Sequence, residues 1–60
     1  MNNSRFFSPS QRQEIYNKSG GECQLCRTPI SLDNFEADHI TPWTQGGPTV
    51  IENGQALCRP

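Results

Sequence analysis

The sequence predicts a small α+β domain with one N-terminal helix and two short strands, and three observations carry that expectation. A helix-start signal at Ser8-Pro9-Ser10-Gln11 is answered by a glycine pair at Gly20-Gly21. A C-x-x-C pair, Cys23 and Cys26, lies in a stretch of turn-forming residues. Two short extended runs then flank a loop that carries glycine and proline.

Residues 1–7 read as a polar lead-in carrying Phe6 and Phe7, with Met1 as a true start. The helix is expected over about residues 9–19. Ser8 can cap it, Pro9 suits the first helical position, and Gln11 can reach back to the cap. Gly20 offers the left-handed stop and Lys18 places a cation in the last turn. Ile15 and Tyr16 should form its buried side, helped by Phe6 or Phe7.

The stretch 22–30 has the form of a knuckle, in which two thiolates two residues apart project from a tight turn toward one point. Ser31-Leu32-Asp33-Asn34 is turn material. Phe35 to Ile40 reads as a strand that ends before Thr41-Pro42, because proline restricts the residue before it and cannot donate to a ladder. Thr44 to Gly54 is a loop, and Gln55 to Cys58 a second short strand, giving a two-strand core over residues 35–58. No internal repeat or low-complexity segment is present.

Apolar burial alone should not hold this chain. It has 60 residues, 32% of them hydrophobic, and a mean hydropathy of -0.75. The available core residues are Phe6, Phe7, Ile15, Tyr16, Leu25, Ile30, Leu32, Phe35, Ile40, Trp43, Val50, Ile51 and Leu57. Domains of this size generally need a staple.

Cysteine supplies the candidate. Three is an odd number, whereas a disulfide framework needs pairs and an oxidising compartment, and the start MNNSRFFSPSQRQ has no apolar signal region. No run approaches the ~18 apolar residues of a membrane span. The chain therefore reads as a cytoplasmic protein, in which a C-x-x-C marks a metal or redox site. Net charge is -1, from five Lys plus Arg against six Asp plus Glu. The cations are scattered, so bulk electrostatics would contribute little to binding nucleic acid.

Cys58 follows Cys26 by 32 positions. Cys58-Arg59-Pro60 would open a second C-x-x-C if position 61 were cysteine, completing the four thiolates that satisfy tetrahedral zinc. The competing reading is a redox dithiol at Cys23 and Cys26 beside an unrelated buried Cys58; the small core favours zinc. His39 is a further possible ligand. It is the only histidine and follows Asp38 directly. In a regular strand these neighbours point to opposite faces, so for both to act at one centre they must lie where the strand bends. Taken alone, Asn53-Gly54 reads as the centre of a type I′ hairpin turn. Gly46-Gly47-Pro48 reads as a mobile turn and Trp43 as a core or lid residue.

Read in order, the pattern C-x-x-C, Ala-Asp-His-Ile-x-Pro-Trp, Gly-Gly, Asn-x-x-x-Leu-Cys resembles the HNH family of ββα-metal nucleases, in the subset stapled by a four-cysteine zinc. The resemblance spans residues 8–60 as a partial HNH domain. It implies a metal-dependent endonuclease acting on DNA, the N-terminal part of a larger restriction or defence protein. It implies His39 as the general base, Asn53 as the residue fixing the loop that orients His39, and Asp38 as ligand of a catalytic divalent ion such as magnesium. Cys23, Cys26 and Cys58 match three of the four structural zinc ligands. The family continues with a fourth cysteine and a helix that this sequence does not contain, so residues 1–60 alone are expected to be inactive. Two other readings stand beside it: a non-catalytic zinc module that binds nucleic acid or protein, and a thiol oxidoreductase, which would place its dithiol at a helix start within a βαβ unit.

Overall fold

Capping chemistry sets the helix. In the computed structural model, which describes residues 6–59, α1 spans Pro9–Ser19. Ser8 Oγ accepts from the Gln11 N–H at 3.2 Å and Gln11 Oε1 accepts from the Ser8 N–H at 2.8 Å, a complete capping box. At the other end Gly20 takes the left-handed conformation (φ 72°) and its N–H bonds the Asn17 carbonyl. Of the lead-in expected over residues 1–7, residues 1–5 lie outside the described residues, as does Pro60.

Two strands follow, β1 (Glu36–His39) and β2 (Gly54–Leu57). They pair antiparallel, with Glu36 opposite Leu57, Ala37 opposite Ala56, Asp38 opposite Gln55 and His39 opposite Gly54. The connection between them carries two single 3₁₀ turns, Trp43–Gln45 and Ile51–Asn53. The α+β expectation is met by this one helix and two-stranded sheet, and β2 is the last element among the described residues. No helix among them is long and apolar enough to cross a membrane.

The core sits between α1 and the sheet. Ile15, Phe35 and Ala56 are fully buried and Phe7 nearly so, with Tyr16, Ile30, Ala37 and Ile51 packed around them. A single helix covers only one face of a two-stranded sheet, so several apolar residues expected inside are not. Phe6 and Leu25 are each 75% exposed, and Ile40, Leu32 and Val50 are also exposed. Leu25 stands at the tip of the cysteine knuckle, and Ile40 lies one residue beyond the last rung of the ladder. Between Phe6 and Phe7, the second is the one that packs.

Asn53-Gly54 is not a type I′ turn. That turn requires positive φ at both central residues, whereas Gly54 has φ -108° and is the first residue of β2. Gly54 is a glycine for another reason: a Cβ there would run into the Ile15 side chain, with Phe7 Cε1 only 3.3 Å away. Lys18 closes the same corner, its Nζ donating to the carbonyls of Ile51 (2.8 Å) and Gly54 (2.9 Å).

Ile15 is the side chain on which helix and sheet meet. Ile15→Ala should cost about 2–5 kcal/mol, a large share of the ~5–15 kcal/mol that stabilises a typical domain. Denaturant unfolding measures it, and a loss below about 1 kcal/mol would show that the core closes without Ile15.

Candidate functional site

The knuckle is shaped by its backbone. The Cys23 N–H donates to the Thr28 carbonyl at 2.8 Å and the Arg27 N–H to the Cys23 carbonyl at 2.9 Å. Arg27 takes the left-handed conformation (φ 67°), which turns the chain back after Cys26. Gln24 then ties the knuckle to β2: its N–H donates to the Ala56 carbonyl (2.9 Å) and its Oε1 accepts from the Ala56 N–H (2.7 Å). Cys58, two residues beyond Ala56, is thereby delivered to the other two cysteines.

The three sulfurs lie within 4.8 Å of one another, with Cys26 and Cys58 at 3.5 Å. Zinc–sulfur bonds of ~2.3 Å in a tetrahedron put ligand sulfurs roughly 3.8 Å apart, so this donor set fits a zinc ion. The convergence also removes the reading in which Cys58 is unrelated. The oxidoreductase reading fails on context, since Cys23 and Cys26 lie on a turn and the two strands are antiparallel. Among the described residues this cluster contains cysteines alone, and His39 is not part of it.

The thiols differ in acidity. Backbone hydrogen bonds from Cys26, Cys58 and Leu25 bring the Cys23 pKa from 9.0 down to about 6. Hydrogen bonding to the Cys26 and Cys23 sulfurs, with burial, pushes Cys58 from 9.0 up to about 11. The cluster gives up one proton readily and holds another, until a cation displaces it.

Asp38 and His39 meet at a cleft along the free edge of β1. The cavity, about 410 Å³, is lined by Phe6, Glu36, Ala37, Asp38, His39, Pro42, Trp43 and Thr44. No bend of the strand is needed to bring the pair together, because among the described residues β1 has a neighbour on one side only and a cleft at its open edge is reached from both faces. The Ile40 N–H turns toward Asn53 across the sheet (2.9 Å). The preceding N–H, of His39, turns outward and donates to Asp38 Oδ1 at 3.0 Å, which draws the carboxylate along the edge.

Trp43 is half-buried in this wall and not in the core, with its ring 6.1 Å from that of His39; the Phe7 ring is 4.7 Å away from His39.

Asn53 clamps the loop above the cleft. Its Oδ1 accepts from the Thr41 N–H (2.9 Å), and its Nδ2 donates to the carbonyls of Thr41 (3.1 Å) and Pro48 (2.9 Å). Both ends of the loop are thus held by one carboxamide. Gly47, expected in a mobile turn, is buried against this clamp. A Cβ on Gly47 would collide with the Thr41 carbonyl and come within 3.0 Å of Asn53 Nδ2.

Two residues of the site escaped the sequence reading. Thr49 Oγ1 lies 2.9 Å from His39 Nε2, and Gln11 Nε2 donates to the Thr49 carbonyl at 3.1 Å. Gln11 was visible as a helix cap only. A threonine ten positions from a histidine carries no local signal.

The thiol shifts give a pH profile for the reduced, metal-free chain. Between about pH 6 and 9, Cys23 is ionised when folded and still protonated when unfolded, so stability rises with pH. Between 9 and about 11, Cys58 keeps its proton only when folded, so stability falls. The folded fraction in chelator and reductant, read by circular dichroism, should therefore peak near the middle of this span, and Cys23→Ser should remove the rising limb. A profile unchanged by Cys23→Ser would overturn the assignment.

No curated protein and no solved structure matches the chain significantly. The family model of the HNH endonuclease matches residues 23–60, a segment that begins at the first cysteine of the knuckle and takes in both strands and every residue lining the cleft except Phe6. Since that segment is more than half of the sequence, the chain belongs to the HNH endonuclease family.

Proposed function

We propose that this chain is the nuclease module of a metal-dependent enzyme that hydrolyses phosphodiester bonds in DNA, working in the cytoplasm as the N-terminal part of a larger restriction or defence protein. The observation that supports this most is the opening of Asp38 and His39 onto one cleft beneath a loop clamped by Asn53. A module that only binds would not require an acid–base pair held against a clamped loop. The thiolate cluster is a separate, structural zinc site, its fourth ligand supplied from beyond Pro60. Reduced cytoplasmic thiols suit it.

Phosphodiester hydrolysis requires a deprotonated water and compensation of the charge that builds on the phosphate and the leaving oxygen. His39 is the base that takes the water's proton. Asp38 is the carboxylate that holds a hard divalent cation, and magnesium is commonly bound through one or two carboxylates together with substrate phosphate. When bound, that ion supplies Lewis-acid stabilisation of phosphate charge. Asn53 keeps the strand end and loop in register, and the aromatic wall of Phe7 and Trp43 limits rotation of the His39 ring. With a net charge of -1, the module draws little DNA affinity from its own surface. Other parts of the protein supply the rest, and residues 1–60 alone are inactive on this reading.

The test is His39→Ala in a protein that carries this domain and extends past Pro60. Plasmid cleavage should fall by about 10²- to 10⁴-fold, roughly 3–5 kcal/mol of barrier, with zinc content and fold unchanged. Cleavage at the unaltered rate in magnesium-replete buffer would rule His39 out as the base.

A further inference from the structure

The hydrogen bond between His39 and Thr49 has no part in the family pattern that the sequence displays, yet it touches the ring on which the proposed chemistry depends. Phe7 and Trp43 flank the His39 ring, with centroids at 4.7 and 6.1 Å. Packing of this kind restricts the plane of a ring and leaves open which edge faces which way. A hydrogen bond to one nitrogen decides the edge, and it also decides where the single proton of a neutral imidazole resides.

Thr49 is itself held. Gln11 Oε1 is occupied by the Ser8 N–H at 2.8 Å, which turns Gln11 Nε2 toward the Thr49 carbonyl at 3.1 Å. The capping box of α1 thus fixes the backbone of Thr49, and the Thr49 hydroxyl meets His39 Nε2 at 2.9 Å. Helix start, threonine and histidine form one hydrogen-bonded line across 38 residues of sequence between Gln11 and Thr49.

We infer that Thr49 is a positioning residue, which accepts the Nε2 proton of His39 and so keeps Nδ1 unprotonated and available as the basic nitrogen. A base needs a lone pair on the nitrogen that faces the reacting water. With Nε2 engaged by Thr49, that nitrogen is Nδ1, and the proton of the neutral ring belongs on Nε2. The alternative, a hydroxyl donating to Nε2, would place the proton on Nδ1 and block it.

The functional consequence rests on the nuclease reading, but the test does not. The ring signals of His39 in nitrogen-15 NMR of the zinc-loaded protein are identified by their loss in His39→Gln. In the neutral ring, Nε2 should give the protonated type of signal and Nδ1 the unprotonated type. Thr49→Val, which removes the hydroxyl at nearly constant shape, should move both signals toward the averaged values of a ring exchanging between tautomers. Thr49→Ser should restore the separation. Gln11→Glu keeps an oxygen for the Ser8 N–H and loses the donor to Thr49, and it should reduce the separation with α1 intact. A wild-type ring protonated on Nδ1 would overturn the inference, as would a separation unchanged in Thr49→Val. If Thr49→Val does not fold, the wild-type signals with the Ser and Gln11→Glu variants decide. Should the signals follow this pattern while His39→Ala leaves cleavage intact, the nuclease role of His39 fails and the positioning by Thr49 stands.

Discussion

The paired hydrogen bonds between Gln24 and Ala56 are the constraint on which both sites depend. They fasten the cysteine knuckle to β2, and β2 is a four-residue strand with different chemistry at each end. At its start Gly54 pairs with His39; just past its end Cys58 joins Cys23 and Cys26. A zinc ion held by the cysteines would therefore fix the far end of the strand whose near end sets the register of His39. In a domain with so few buried side chains, metal binding of this kind is folding free energy.

What was legible in the sequence was what is encoded locally. The limits of α1 follow from Ser8, Pro9, Gln11 and Gly20, all within a few residues of the ends they define. The knuckle follows from the C-x-x-C spacing, and the end of β1 from Pro42. What could not be read are partnerships made across the fold: Thr49 with His39, Gln24 with Ala56, Lys18 with the Ile51 and Gly54 carbonyls. Hydropathy was misleading for the same reason. Phe6 and Phe7 are adjacent and chemically identical, and only the placement of α1 over the sheet makes one of them core and leaves the other at the cleft.

Asn53 shows how a local signal can point the wrong way. Asn-Gly ahead of a strand is a strong turn signal, yet here the glycine is required by the Ile15 side chain beneath it and the asparagine by three backbone groups above it. Each residue has its own reason, and their adjacency is incidental to both. Gly47 belongs to the same arrangement, since only a residue without Cβ lets the loop come down onto Thr41 and receive the Asn53 clamp.

Charge in the cleft has its own logic. Two carboxylates, Glu36 and Asp38, line a cavity that must admit a phosphate on the proposed reading, and unpaired acids would repel it. Glu36 is drawn aside by Arg59 at 3.3 Å, and Arg59 is held in turn by the Phe35 carbonyl, which Arg12 also meets while its guanidinium lies 4.5 Å over the Phe35 ring. Asp38 has no such cation among the described residues; its one bond is to the N–H of His39. A pair as exposed as Glu36 and Arg59 adds little to stability, so the value of Arg59 lies in which carboxylate it leaves alone. Asp38 remains as the single uncompensated acid beside His39, the charge that a divalent cation would balance and through which a phosphate could be admitted.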